Sequence, residues 1–405
     1  MSNFHRHRSD CRLCASSNIV LAVPLAAVPI VTPNSGENAD KANNLAPLGL
    51  YLCQACGNLQ LSDIIDPGLQ YNNFRYTTSI SLGLPEHFRE MARHVASENG
   101  LKPNAQILEI GSNDGTLLRA FKEMGFKVLG IDPAQVIAAK ATEAGIPTIA
   151  DFFTFNRAQQ IAKDQGKVDL IIANNTFANI DDLTDIMAGI RCLLNPGGSL
   201  VIETQHGAAV IRNNLVDTIY HEHLSYFMVK SLRDFFTRQN MTLVRVEAVS
   251  TKGGSIRLTI KPGQHQAEPT VTQFIQAEEN DKLFDLETYQ AFSQNLTNIS
   301  QEIQNIVKQT IAQGGKIAGF GASVGTLTLL NQFKLENIIN VIFDDKPLCQ
   351  NISGPNYNIP VTIPQNLDQY ALIIVFAWRY AQNIIAKHPT QKGKFLTPLP
   401  KPIIL

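Results

Sequence analysis

The segment Tyr220-His221-Glu222-His223-Leu-Ser-Tyr226-Phe227 packs two of the chain's nine histidines around a carboxylate. A free imidazole ionises near pH 6.5, so a histidine here is suited to taking a proton at neutral pH. If the segment is extended, His221 and His223 share one face and Tyr220 and Glu222 the other. A zinc-peptidase helix needs HExxH, and Ser225 stands where its second histidine belongs, so that chemistry is rejected. A second group lies near the start of the chain. Cys11-Arg-Leu-Cys14 and Cys53-Gln-Ala-Cys56 are two CxxC pairs. Each pair aims two sulfurs at one ion, and four thiolates close the tetrahedron of structural zinc. Four sulfur ligands leave no open position, so a catalytic metal is not expected. The competing explanations are four unrelated buried cysteines or a redox pair. Cys192 and Cys349 are scattered and read as packing.

These groups need elements to hold them. From about Gln106 strands and helices alternate. Gln106-Ile-Leu-Glu-Ile-Gly111 reads as a buried strand, 111–115 as a turn and Thr116–Met124 as a helix. Lys127-Val-Leu-Gly-Ile-Asp132 is a second strand ending in an acid. Val168–Ala173 and Ser199–Glu203 are further strands, the last after the tight turn Asn195-Pro-Gly-Gly198. The alternation predicts a parallel, doubly wound sheet. A turn built on Gly111, Asn113 and Gly115 lets a ligand approach the backbone, and Asp132 is placed to accept from ribose hydroxyls. A dinucleotide site would show GxGxxG. Here the string is Glu109-x-Gly111-x-x-x-Gly115, and Glu109 would repel a pyrophosphate but suits a cation. The pattern resembles that of S-adenosylmethionine methyltransferases, whose cofactor carries a sulfonium and an amino group and no phosphate. Asp151 is then expected at the adenine amine, Phe152 as an apolar wall, and Asn174 at the ligand edge of the next strand. The alternative is a generic Rossmann-like domain binding NAD or nothing.

The last part of the chain repeats the theme. Lys316-Ile-Ala-Gly-Phe-Gly-Ala-Ser323 is a strand entering a small-residue turn, and Val341–Asp345 and Leu372–Ala377 are further strands. Backbone amides at such a turn suit a diphosphate; the alternative is a domain kept for packing. The expected fold class is α/β: a zinc-stapled module over 1–72, a central Rossmann-like methyltransferase domain over 73–250 and a Rossmann-like domain over 251–405.

Length and composition agree. A chain of 405 residues holds about two to four domains. An apolar fraction of 44% with 17% charged residues excludes a wholly disordered chain. Lys plus Arg number 34 against 35 Asp plus Glu, which gives no bulk electrostatic case for nucleic acid or an anionic membrane. The apolar run Ile19–Val31 is too short to span a bilayer, and Pro24 and Pro29 break it. With His5-Arg-His-Arg8 ahead it mimics a signal peptide, but Cys11, Cys14 and the prolines interrupt the apolar core such a peptide needs. A cytoplasmic protein with no obligate protein partner is expected.

Taken in order, these pieces make the chain resemble the three-domain sugar C-methyltransferases of deoxysugar biosynthesis along nearly its whole length. The resemblance is carried by the paired CxxC module, Tyr71-x-x-Phe-x-Tyr76-Thr-Thr-Ser79-x-Ser81, the turn 109–115, Tyr220–His223, Gly319-Phe-Gly-Ala-Ser323 and Phe343-Asp-Asp-Lys-Pro347. It implies methylation, from S-adenosylmethionine, of the carbon beside a ketone in a nucleotide-linked 4-keto-6-deoxysugar. A carbonyl acidifies the neighbouring C–H, and the enolate left by a base attacks the methyl group. The resemblance implies His223 as that base. It assigns Tyr220, Glu222 and Tyr76 to orienting the sugar or its enolate oxygen, and His221 to relaying or orienting. Ser81, Gly321 and Ser323 would contact the nucleotide-sugar. The chain departs from the family at Val324-Gly325 and Cys349, where lysines are common, and at Asn179, where a histidine is often found. Those positions leave the nucleotide and the sugar open. Two other functions compete: an O- or N-methyltransferase on a sugar or other small metabolite, and a non-catalytic zinc-module binding protein. Binding of S-adenosylmethionine separates the last from the rest.

Overall fold

The structure, a computed structural model, describes residues 5–30, 44–72, 74–391 and 393–405. The amino-terminal module contains β1 (His5–His7), β2 (Ile19–Pro29), β3 (Leu45–Cys53), β4 (Leu59–Leu61) and β5 (Asp63–Ile65). β2, β3 and β4 pair antiparallel, and β1 pairs with β5. Leu48, Leu50 and Leu52 fall at every second position of β3 and are buried, so one face of the small sheet is apolar. That face cannot be covered from within a module this small. It packs on the helix Leu286–Ala312, whose Tyr289, Phe292, Leu296, Ile299, Ile303 and Val307 recur every three or four residues and form one buried stripe.

The central sheet holds β6 (Gln106–Ile110), β7 (Lys127–Ile131), β8 (Thr148–Ile149), β9 (Val168–Asn174) and β10 (Leu194–Gln205), all parallel. Leu170, Ile171 and Ile172 of β9 are completely buried, as expected of a strand with helices on both faces. A two-residue strand, β11 (Ser225–Tyr226), leaves this domain and pairs with β4 of the amino-terminal sheet. β12 (Met241–Val249) and β13 (Ser255–Pro262) return to the central sheet, giving the order β12-β13-β10-β9-β6-β7-β8. The strand Ser255–Pro262 lies beyond the boundary expected at 250, yet it pairs antiparallel with β10 and β12 and completes this sheet. Counted within the sheet the order is 3-2-1-4-5-7-6. A dinucleotide fold runs 3-2-1-4-5-6, without the inserted antiparallel strand.

The third sheet contains β14 (Ile317–Phe320), β15 (Ile342–Phe343), β16 (Asn351–Gly354), β17 (Tyr357–Thr362), β18 (Leu372–Val375), β19 (Phe395–Thr397) and β20 (Ile403–Ile404). Its order is β16-β17-β15-β14-β18-β19-β20, parallel except for the two edge strands. In both large sheets the strand order reverses at the first strand, β6 or β14, where crossovers diverge and a crevice opens. No helix among the described residues is long and apolar enough to cross a membrane.

The last domain is bolted to the central one beside residues 216–219. The Asp217 carboxylate accepts from Trp378 Nε1 at 3.2 Å and from Arg379 Nη1 at 2.6 Å and Nη2 at 3.2 Å. Thr328 Oγ1 donates to the Ile219 carbonyl at 2.8 Å. Gly325 allows this approach, because a Cβ there would sit 2.3 Å from the Asp217 carbonyl oxygen. Gly325→Ala is therefore expected to destabilise the protein by about 1–3 kcal/mol through overpacking. Urea denaturation checks this, with an unchanged midpoint counting against the close docking.

Candidate active site

The crevices of the two large sheets face one another across a single cleft of about 1050 Å³. That exceeds the roughly 300–1000 Å³ of a typical one-ligand pocket, so there is room for two small molecules side by side. Its walls carry Gly111, Asn113, Asp132, Phe152 and Asn174 from the central sheet, and Tyr220, Glu222 and His223 from the turn before β11. Ser323, Lys346 and Arg379 come from the third sheet.

At the central end, Gly111 and Gly115 have φ of +70° and +73°, which folds the chain sharply between β6 and the helix Thr116–Glu123. A Cβ at Gly111 would lie 2.2 Å from Thr176 Oγ1, and one at Gly115 2.9 Å from Ile146. Asp132 holds the turn from the end of β7: its Oδ2 accepts from the Asn113 N–H at 2.8 Å and its Oδ1 from the Ala134 N–H at 2.9 Å. Asn113 Oδ1 accepts from the Thr78 N–H at 2.8 Å and its Nδ2 donates to the Tyr76 carbonyl at 3.0 Å. Asn113 thus ties the Tyr76 segment to the turn from the cleft wall. Tyr76 and Ser81 share a hydroxyl hydrogen bond of 2.7 Å on the cleft wall. Asn174 lies beside them, its Oδ1 accepting from Asn175. Glu109 sits in the layer beneath the cleft wall, buried, with Oε2 lacking a protein partner. Burial, followed by the charges of Asp132 and Asp114, holds its carboxyl well above the usual range; burial also raises Asp132 against its two backbone hydrogen bonds. An orphaned buried carboxyl under an open glycine turn fits a cationic ligand.

The expected role of Asp151 is not supported. Its carboxylate is engaged by Arg157 and caps the Phe152 N–H at 2.8 Å, and it does not line the cleft; Phe152 does.

The histidine segment is not extended. The His223 N–H donates to the Tyr220 carbonyl at 2.9 Å, closing a turn. The turn brings Tyr220 and His223 together, with ring centroids 4.2 Å apart, where an extended chain would have put them on opposite faces. His223 Nδ1 lies 2.9 Å from the Thr218 carbonyl. A carbonyl only accepts, so Nδ1 carries the hydrogen and Nε2 of the neutral ring keeps its lone pair. Tyr220 Oη, 3.1 Å from Nε2, donates to it. Burial, then the charge of Lys252, pushes the His223 pKa down to about 4 against the opposing pull of the Thr218 carbonyl. Burial and the nearby Glu222 carboxylate hold the Tyr220 phenol well above 10, so it stays a neutral donor. His221 departs from expectation: its Nε2 donates to the Pro47 carbonyl of β3 at 2.8 Å, and the buried ring faces the amino-terminal module, away from the cleft.

The opposite wall repeats the acid-to-turn bond. Asp344, at the end of β15, accepts from the Ala322 N–H at 2.8 Å. The expectation that the Gly321–Ser323 amides cradle a diphosphate fails for a simple reason: they are used internally. Gly321 N–H donates to Phe343, Ala322 N–H to Asp344, and Ser323 N–H to Thr326 Oγ1 at 3.0 Å. Positive charge on this wall comes instead from Lys346, within the Phe343–Pro347 motif, and from two side chains the sequence reading missed, Lys252 and Arg379. Lys252 is open to the cleft yet ringed by protein, and this enclosure lowers its pKa. Its one sequence signal is a lysine at φ +54° entering Gly253-Gly254. Asp344 was visible as a second strand-ending acid.

The sulfurs of Cys11, Cys14, Cys53 and Cys56 lie within 4.8 Å of one another, with Cys11–Cys56 at 3.5 Å and Cys14–Cys53 at 3.6 Å. Tetrahedral zinc with bonds of about 2.3 Å sets sulfurs about 3.8 Å apart, so the four thiols fit that ion.

Comparison with known proteins agrees with this geometry. Residues 11–71 match a zinc binding domain family, 86–246 a methyltransferase domain and 250–400 the C-methyltransferase C-terminal domain. The C-methyltransferase NovU of Streptomyces niveus is 28% identical over 416 aligned residues, covering 100% of this chain and 99% of its own. A ubiquinone biosynthesis O-methyltransferase of Azorhizobium caulinodans is 26% identical over 30% of this chain and 47% of its own. A solved S-adenosylmethionine-dependent methyltransferase of Clostridium acetobutylicum aligns over 44% of this chain and 92% of its own, at 12% identity and a TM-score of 0.35, too slight a likeness to argue from. Sheet order, cleft and matched domains define an S-adenosylmethionine-dependent methyltransferase with structural zinc. In order along the chain, it carries matches to the zinc-binding, methyltransferase and C-methyltransferase C-terminal domains, and it is similar over its whole length to a C-methyltransferase.

Two outcomes follow for the cleft. Burial raises the Glu109 carboxyl above its usual range and a bound cation would pull it back down, so donor binding should release protons. Calorimetric titrations in buffers of different ionisation heat would show this, and heats independent of buffer would contradict it. Tyr220→Phe removes a hydrogen bond to the neutral imidazole, so the His223 pKa should rise from about 4. NMR titration of the ring measures it, and a fall would reverse the assignment of donor and acceptor.

Proposed function

We propose that this enzyme transfers the methyl group of S-adenosylmethionine to the carbon beside the ketone of a nucleotide-linked 4-keto-deoxysugar, by way of an enolate. The observation that supports this most is His223: its Nδ1–H is committed to the Thr218 carbonyl, its Nε2 lone pair is held only by the Tyr220 O–H, and it shares one cleft with the glycine turn. The name of the Streptomyces relative points the same way.

The donor supplies an electrophilic methyl group. Asp132, at the end of β7, would take its ribose, and Glu109 under the turn would answer its positive charge. Lys346 on the facing wall suits the acceptor's phosphates, beside Arg379, whose charge is shared with Asp217. As the acceptor enters, the Tyr220 O–H turns from His223 to the ketone oxygen. This frees Nε2 and places a neutral donor where enolate charge develops. His223 Nε2 takes the proton from the neighbouring carbon. Tyr76, held by Ser81 and Asn113, and Glu222 orient the sugar. Holding both reactants in one cleft supplies much of the acceleration.

A base of pKa about 4 stays neutral well below the usual imidazole midpoint. Catalytic efficiency should therefore hold to about pH 5 and fall with a midpoint about 4, not the roughly 6.5 of a free imidazole. With a non-methylating donor analogue, wild-type enzyme should exchange the sugar's acidic proton with deuterated solvent. His223→Asn should bind both ligands and lose that exchange by about 10²–10⁴ in rate. Exchange at the wild-type rate in that variant would remove His223 from this role.

A further inference from the structure

Arg12 stands between two of the four metal-binding cysteines, but its side chain leaves the knuckle. It is 4% exposed and lies in the seam between the amino-terminal module and the central domain. Nε donates to Asp181 Oδ1 at 2.9 Å, and Nη1 donates to the carbonyl of Leu224 at 3.1 Å and to that of Leu61. Leu224 directly follows His223. Its N–H donates to the Ala178 carbonyl at 2.8 Å, and its carbonyl also accepts from the Leu61 N–H at 2.9 Å. Asp181 is itself on the cleft wall, in the loop after β9. One guanidinium therefore joins that loop to the turn that carries His223.

The knuckle fixes the arginine in return. The Arg12 N–H donates to Gln60 Oε1 at 2.9 Å, and Gln60 Nε2 donates to the Asp10 carbonyl at 2.9 Å. Arg6 and Arg8 also reach Asp181, from more exposed positions, and neither touches the His223 turn. Burial costs Arg12 much of its solvation, and its planar fork suits a carboxylate and two carbonyls at fixed angles, as an ammonium does not. An ion pair that only glued two domains could end anywhere on the seam. This one ends on the main chain next to His223.

We infer that Arg12 is a positioning residue: through it, the zinc-held knuckle sets the spacing of the two loops that fix the orientation of the His223 ring. The inference rests on His223 being the base. The zinc site, on this view, acts on catalysis at a distance without touching either ligand.

The test uses full-length Arg12→Met and Arg12→Lys, each with zinc content and donor affinity measured. Both should keep their zinc and bind S-adenosylmethionine within about two-fold of wild type. kcat should fall about 10- to 100-fold, the scale of a 1 Å misplacement. The acidic midpoint should rise from about 4 toward 6.5 as the turn loosens and admits water. Nitrogen NMR of His223 should show mixed tautomers where wild type shows Nδ1–H. Lysine, with the charge but not the fork, should not rescue. If Arg12→Met does not fold, Arg12→Lys carries the same readings. A zinc-replete variant with wild-type kcat, midpoint and tautomer overturns the inference. Proton exchange in His223→Asn tests the base separately, and its failure would leave the tautomer result standing.

Discussion

The hydrogen bond from His223 Nδ1 to the Thr218 carbonyl decides which nitrogen of the ring can take a proton, and it forms only if residues 216–226 keep their shape. No single domain holds that stretch. The third domain grips it through Trp378 and Arg379 on Asp217 and Thr328 on Ile219. The amino-terminal module grips it through Pro47 on His221 and the pairing of β11 with β4. The central domain grips it through Ala178 on Leu224. Parting any domain from the other two would loosen the turn that carries His223, so the three-domain arrangement shapes the cleft and not only the scaffold.

The cleft is lined by charges of both signs, with Asp217, Glu222 and Asp344 among its cations, though the chain as a whole is nearly neutral at −1. Glu109 and Asp132 lie at the glycine turn, and Lys252, Lys346 and Arg379 border the other side. The surroundings of His223 and Tyr220 set their protonation in opposite directions. Burial and Lys252 keep His223 unprotonated, and burial and Glu222 keep Tyr220 protonated. One is then ready to accept a proton and the other to donate a hydrogen bond.

What the sequence disclosed was local. The glycine turn, the acids ending β7 and β15, and the paired cysteines each lie within a few residues and carry their geometry with them. The shape of Tyr220–His223 was open in the sequence, because residue types do not choose between an extended chain and a turn, and one backbone hydrogen bond curls it. His221 and Asp151 were misplaced because their partners, Pro47 and Arg157, are not implied by residue type. The Gly321–Ser323 turn had the right composition, but its amides were already spent. Lys252 and Arg379 were missed because single cations far apart in the chain meet only through topology. β13 had no place in the sequence reading, because an antiparallel strand returning to a parallel sheet gives no periodic signal of its own.

The most direct test of the central claim is the identity of the bond formed. Enzyme would be incubated with S-adenosylmethionine labelled with carbon-13 at the methyl group and a uniformly carbon-13-labelled nucleotide 4-keto-6-deoxysugar, and the product examined by NMR. The account predicts one-bond carbon–carbon coupling between the new methyl group and the ring carbon next to the ketone. A transferred methyl group without that coupling, attached through oxygen or nitrogen, would contradict it.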